Sequence, residues 1–377
     1  MRILHVSSEC APWAKTGGLG DVVGALPDAL SRAAEGVESA AVMPYYRAAK
    51  QAVAKQGLTP VDTGIAVDVN IGPAAARVRF LRVDRPGLAP TYFAACDSAF
   101  DREGIYGHDD DSLRFILFSK AAVAVANKLM GGPADILHAH DWHAALVPAL
   151  LATNARGLLP NARSVLTLHN MAYQGICSKE LLPLTGLPWE VFHAEALEWY
   201  DHINLLKGGI ALANAVTTVS PTYAREIKTP EFGHKLDGFL RRHRVFGILN
   251  GVDVDEWDPT KDPHLAAHYD ADSLDEKRKV RAELLRMCDW PEQPDVMLMG
   301  VVSRMTAQKG LDLIADLVPE YHSMPARLVV LGTGSSKLED RFRVAARNYA
   351  WNVRTQIAFD LPLSHKIIAG CDALLVP

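Results

Sequence analysis

Short apolar runs recur along this chain, each followed by a helix-length segment with one apolar face. That alternation admits few architectures other than a parallel α/β sheet. Runs at 2–8, 39–43, 136–140, 164–169, 215–220 and 245–250 predict strands, with helices near 19–34, 111–130, 142–155, 203–214 and 234–243. Weaker runs at 65–71, 76–83 and 91–95 predict an antiparallel insertion. The stretch 251–263 is polar, carries Pro259 and Pro263, and predicts a linker. A second α/β pattern follows, with strands at 296–303, 327–331 and 352–359, helices at 274–288, 310–322, 336–350 and 363–369, and a last buried strand at 372–377. A chain of 377 residues exceeds what one core usually holds, so two domains are expected, 1–250 and 251–377. Two Rossmann-like domains of this kind hold a ligand at the carboxyl ends of their strands.

Composition removes several function classes. The net charge of −5 and pI near 6.3 argue against a nucleic-acid partner. No apolar run approaches the roughly 18 residues of a membrane helix, and no charged leader with an apolar core opens the chain. The five cysteines are scattered without a Cys-x-x-Cys pair, which fits a reducing cytoplasm.

Chemistry concentrates at predicted strand ends. Lys15-Thr16-Gly17-Gly18-Leu19-Gly20-Asp21 runs from strand one into a helix. Its bare glycines let a charged ligand reach the backbone N–H groups, the helix end is positive, and Lys15 adds a mobile cation. A diphosphate or sugar phosphate suits that turn. His138-Ala139-His140-Asp141-Trp142-His143 ends one strand and Thr167-Leu168-His169-Asn170 the next. A metal reading is disfavoured, because a strand puts His138 and His140 on one face and turns His143 away. Asp141 either caps the following helix or, with His169 and Asn170, holds sugar hydroxyls. In Ser303-Arg304-Met305-Thr306-Ala307-Gln308-Lys309-Gly310, Arg304 offers a forked donor to phosphate and Lys309 a point charge. Together with Lys15 they are expected to clamp one diphosphate. Gly332 and Gly334 could line the base or ribose side, Glu9 is either a site carboxylate or a turn cap, and Asp109-Asp110-Asp111 is a solvated run with a helix cap.

These stretches, with Leu206-Lys207-Gly208-Gly209, Val219-Ser220-Pro221-Thr222-Tyr223 and Ile248-Leu249-Asn250-Gly251, resemble bacterial glycogen synthases and the related plant starch synthases from Met1 to Pro377. The resemblance implies a two-domain GT-B glycosyltransferase whose domains face a central cleft. It implies transfer of glucose from ADP-glucose to the non-reducing end of an α-1,4-glucan, with retention, no metal and no cofactor. Cationic side chains and helix dipoles would neutralise the departing diphosphate. It places His169 on the donor glucose, Asp141 nearby and Asn250 on the hinge side. Asp21 and Glu9 match positions of the donor and acceptor region. In the family a segment with two glutamates follows the 372–377 strand, whereas this sequence stops at Pro377. An incomplete second domain with an open sheet edge is therefore expected, and little transfer by residues 1–377 alone. The alternative is a catalytically silent fragment that binds glucan or nucleotide.

Overall fold

The computed structural model describes residues 1–72, 75–154, 157–321 and 323–377, so the predicted ends of the helices at 142–155 and 310–322 lie outside the described residues. The chain divides into two compact units, Met1–Gly251 and Val252–Pro377.

In the first unit the strands are β1 (Arg2–Val6), β2 (Glu38–Pro44), β3 (Val61–Asn70), β4 (Ala75–Val83), β5 (Thr91–Ala95), β6 (Ile136–His140), β7 (Arg163–Leu168), β8 (Ile176–Ser178), β9 (Glu198–Trp199), β10 (His202–Asn204), β11 (Ala215–Thr218) and β12 (Val245–Gly247). The main sheet has the order β12-β11-β7-β6-β1-β2-β5-β4-β3. Strands from β12 to β5 run parallel, and β4 and β3 continue the sheet antiparallel at one edge. The expected antiparallel insertion is thus smaller than its three runs suggested. Strand β5 is buried throughout and pairs parallel with β2, so it belongs to the main sheet. Its sequence, Thr-Tyr-Phe-Ala-Ala, is a continuous buried run, the pattern of a strand covered on both faces.

Helices pack on both faces, and their apolar stripes explain where they sit. The helix Asp111–Val125 buries Phe115, Ile116, Leu117, Phe118, Ala121 and Ala122 in one core with Leu4, Val6, Val42 and Leu137 from the strands. The helix Leu205–Leu212 approaches its neighbour so closely that a Cβ on Gly209 would lie 2.6 Å from the Ala145 carbonyl oxygen. A small antiparallel sheet, β8-β10-β9, interrupts the predicted helix start at 203. Its strands are two or three residues long, too short for any periodicity to show in the sequence.

The second unit carries β13 (Met297–Val302), β14 (Ala326–Leu331), β15 (Val353–Gln356) and β16 (Ala373–Leu374), all parallel, in the order β15-β14-β13-β16. Strand β14 is buried at every position, whereas the last strand is neither as long nor as buried as expected. Only Ala373 and Leu374 pair, and Val376 is exposed. The predicted linker is also not simply a linker. From Trp257 onward it packs into this unit: Asp262 is buried with its carboxylate 2.7 Å from His365 Nδ1, and Trp257 stacks on the His365 ring at 4.0 Å. No helix among the described residues is long and apolar enough to cross a membrane.

Candidate active site

Strand β1 delivers Ser7, Ser8 and Glu9 to the carboxyl end of the main sheet, beneath the glycine turn. Glu9 is buried, and four donors converge on its carboxylate. Oε2 accepts the N–H groups of Thr16 (2.6 Å) and Gly17 (3.2 Å), and Oε1 accepts the hydroxyls of Thr16 (2.8 Å) and Tyr106 (2.8 Å). Its carboxylate therefore shapes the turn, as a cap does. The helix Gly18–Ala33 starts with Gly17 at its N-cap and no side chain satisfying its first N–H groups. The glycines divide by role. A Cβ on Gly20 would lie 2.4 Å from Lys15 Cβ, so Gly20 is bare because the turn folds back on itself. Gly18 is exposed with nothing near a Cβ, the open position a ligand requires. Lys15 is not the mobile cation expected, since its ammonium pairs with the Asp21 carboxylate.

Strands β6 and β7 bring the next groups alongside. Asp141 follows β6 with φ 55°, a left-handed conformation that aspartate tolerates better than most residues. Capping of the following helix is not what it does. Its Oδ1 accepts the N–H groups of His169 (2.6 Å) and Asn170 (3.2 Å), tying the end of β7 to the end of β6. Burial is the largest influence on its acidity and pushes the carboxyl up to about 7, against those two hydrogen bonds. The Asn170 side chain closes its own turn by accepting Ala172 N–H at 3.0 Å.

Imidazoles form a line behind this turn. His5 Nε2 lies 3.1 Å from Ser39 Oγ, His5 Nδ1 lies 3.1 Å from His140 Nε2, and His140 Nδ1 lies 3.1 Å from His169 Nε2. His138 stacks on His140 at 4.2 Å, on the shared face its spacing predicted, and its Nε2 meets Thr167 Oγ1 at 2.6 Å. Burial holds all four imidazoles below their usual range, His138 to about 3 and His169 to about 4. They are neutral at physiological pH. His5, His138 and His140 each offer a nitrogen within 4.8 Å of the others, the one candidate metal triad among the described residues. The His5 and His140 nitrogens face each other at hydrogen-bond separation, so a cation bound there would replace that hydrogen bond. His143 lies elsewhere, stacked on Tyr106 at 4.6 Å.

Beside these turns lies a pocket of about 460 Å³ lined by Trp142, Tyr173, Gln174, Trp199, His234 and Lys235. Gly175 makes it possible. A Cβ there would sit 2.3 Å from the Trp142 ring, so the Tyr-Gln-Gly stretch packs flat against that indole. Gln174 is fixed by Asn204 and by the carbonyls of Met171 and His234.

In the second unit, strand β13 leads into the turn carrying Arg304 and Lys309. Met305 N–H donates to the Thr333 carbonyl at 2.8 Å and Ser335 N–H to the Met305 carbonyl at 2.9 Å, which zips this turn to the one after β14. A Cβ on Gly332 would lie 1.9 Å from the Ser303 carbonyl oxygen. Gly332 is thus bare because the two turns pack against each other, whatever else it lines. Arg304 is half-buried, Lys309 is exposed, and neither pairs with a carboxylate among the described residues. Asn250 lies exposed three residues beyond β12, outside the strand that was expected to run through it.

Residues 2–242 match the family model described as the starch synthase catalytic domain. The chain is 45% identical over its whole length to a glycogen synthase of Anaeromyxobacter dehalogenans, covering 78% of that protein. It is 40% identical to a glycogen synthase of Yersinia pestis, again over the whole chain and 78% of the relative. Its fold superposes on the catalytic domain of starch synthase IV from Arabidopsis thaliana, solved with ADP and acarbose, with a TM-score of 0.89 and 30% identity over 99% of this chain and 77% of that one. The chain belongs to the bacterial glycogen synthase and starch synthase family. Its fold is accordingly GT-B, with a large parallel-sheet unit and a second, partial one.

Within this family member, one residue of the shared motifs has a clear structural task. Lys207 of the Leu-Lys-Gly-Gly stretch is buried, and its ammonium bonds the carbonyls of Ala194 (2.6 Å) and Glu198, pinning the 194–198 segment. Conversely, nothing in the sequence singled out Tyr106, which bonds Glu9, or Ser39 and His5, which reach His169 through His140. A buried histidine inside an apolar strand was the available signal for His5. Its partners Ser39 and His140 lie 34 and 135 residues away, so nothing local pointed to them.

Proposed function

We propose that this glycogen synthase family member transfers glucose from ADP-glucose to the non-reducing end of an α-1,4-glucan with retention of configuration. The observation that carries the reading is the match along the whole chain to named glycogen synthases, together with the superposition on a starch synthase solved with ADP and acarbose. Each unit supplies its own candidates for an anion: Lys15 at the glycine turn of the first, and Arg304 and Lys309 after β13 of the second. No carboxylate among the described residues pairs with Arg304 or Lys309, which leaves both able to meet an anion, whereas Lys15 must exchange Asp21 for a phosphate. Preorganised cations that meet charge developing on a leaving group lower a barrier without further reorganisation. Gly18 presents the open N–H of a helix start to an anion, while the Gly17 N–H is held by the Glu9 carboxylate.

His169 is assigned to the donor glucose. Asp141 fixes its backbone and that of Asn170, so Asp141 is a positioning residue here. The pocket walled by Trp142, Tyr173 and Trp199 is assigned to the glucan acceptor. Flat aromatic faces cover the apolar faces of sugar rings while Gln174 and Lys235 reach hydroxyls. The test is transfer of radiolabelled glucose from ADP-glucose to glycogen by the purified gene product, with UDP-glucose as competitor. Incorporation sustained by ADP-glucose is expected. Incorporation from UDP-glucose in preference to ADP-glucose would refute the donor assignment, and no ADP binding together with no incorporation would refute the whole reading.

A further inference from the structure

The line of imidazoles has a beginning and an end of different kinds. At its buried end stands Ser39, 4% exposed, whose hydroxyl has His5 Nε2 as its hydrogen-bond partner among the described residues. At its other end stands His169, half-buried, whose Nδ1 has no partner among the described residues. Between them His5 and His140 are fully buried. Each neutral imidazole carries one N–H and one bare nitrogen, so three in a row have two self-consistent arrangements. In one, protons point from His169 toward Ser39. In the other, they point from Ser39 toward His169.

Ser39 decides between them. A buried hydroxyl with one partner must donate to it, because an unspent buried donor costs more than an unused acceptor lone pair. Ser39 O–H then donates to His5 Nε2, His5 Nδ1–H to His140 Nε2, and His140 Nδ1–H to His169 Nε2. The only nitrogen left for the His169 proton is the outward one. We propose that the buried Ser39–His5–His140 chain fixes His169 as its Nδ1–H tautomer, a neutral hydrogen-bond donor at the end of β7.

The groups around the line agree with that assignment. No described carboxylate hydrogen-bonds any of the rings, so nothing along the line favours an imidazolium. Asp141 bonds the backbone N–H of His169, not its ring. His138, stacked on His140, spends its Nε2 on Thr167 and joins no bond in the line. Protein built this way offers a sugar oxygen a donor whose direction does not depend on pH in the neutral range. Ser39 and His5 act on the ligand only through His169, so they are positioning residues. The significance for catalysis rests on the assignment of His169 to the donor glucose; the tautomer itself does not.

Ring nitrogen spectra of protein labelled with ¹⁵N-histidine, recorded at neutral pH without ligand, give the protonation of each nitrogen directly. The expected result is Nδ1–H at His5, His140 and His169. A proton on Nε2 of His169, or on both its nitrogens, overturns the proposal. Ser39→Ala removes the anchor, and His169 should become a mixture of tautomers, with Ser39→Thr restoring the single form. An unchanged His169 spectrum in a folded Ser39→Ala protein also overturns it. Should Ser39→Ala fail to fold, the wild-type spectrum alone decides. Adding ADP-glucose separates the two layers of the argument. Ring signals of His169 that stay fixed on saturation refute its assignment to the donor, while the tautomer stands or falls on the ligand-free spectrum.

Discussion

Replacing Asp141 with asparagine isolates one buried charge. Both backbone donors, from His169 and Asn170, go to Oδ1, which leaves Oδ2 to carry the proton when the group is neutral. Asparagine keeps that acceptor, places an amide where the O–H was, and tolerates φ 55°. The geometry survives and only the ionisation is lost. Burial raises the Asp141 carboxyl from 3.8 to about 7, so the folded protein holds this proton more tightly than the unfolded chain. Its contribution to stability is complete below about pH 4 and is lost as pH rises toward the folded value near 7. At roughly 1.4 kcal/mol per pH unit, the full loss above pH 7 reaches about 4 kcal/mol as an upper bound. Asparagine pays none of it. The urea midpoints of the two proteins, compared from about pH 5 to pH 8, should therefore diverge in favour of Asp141→Asn by roughly 1–3 kcal/mol and diverge no further above that. A difference that stays constant over this range would refute the reasoning, since it would mean Asp141 is ionised throughout.

Gly20→Ala forces a methyl to 2.4 Å from Lys15 Cβ and should destabilise the protein by about 1–3 kcal/mol in thermal unfolding, whereas Gly18→Ala, in open space, should leave the melting temperature unchanged and weaken ADP binding. Tyr173 is 56% exposed, so Tyr173→Ala should cost little stability while raising the KM for maltooligosaccharide by an amount equivalent to about 1–2 kcal/mol, with KM for ADP-glucose unmoved.

How far the sequence could be read depended on the reach of each signal. Strand β6 matches its prediction at both ends, and β13 and β14 match closely, because apolar runs bounded by polar turns are local. Strand β5 was misjudged because its parallel partner, β2, is distant in sequence while its antiparallel neighbour, β4, is adjacent. The glycine turn was legible as a turn, yet nothing local separates Gly20, bare for packing, from Gly18, bare toward solvent. Glu9 was read as either a site carboxylate or a turn cap, and its partners Thr16 and Gly17 lie within eight residues, whereas the backbone partners of Asp141 lie about 30 residues on and left no local signal. The packed part of the linker, from Trp257 to Asp262, was hidden because its anchor His365 lies about 100 residues on.

Calorimetric titration of ADP into the wild-type protein and into Arg304→Ala tests most directly whether this chain grips a nucleoside diphosphate as described. Loss of a charge-assisted hydrogen bond should weaken ADP binding by about 1.5–3 kcal/mol, tenfold or more, while adenosine binds both proteins alike. Equal affinity of the two proteins for ADP would contradict the account.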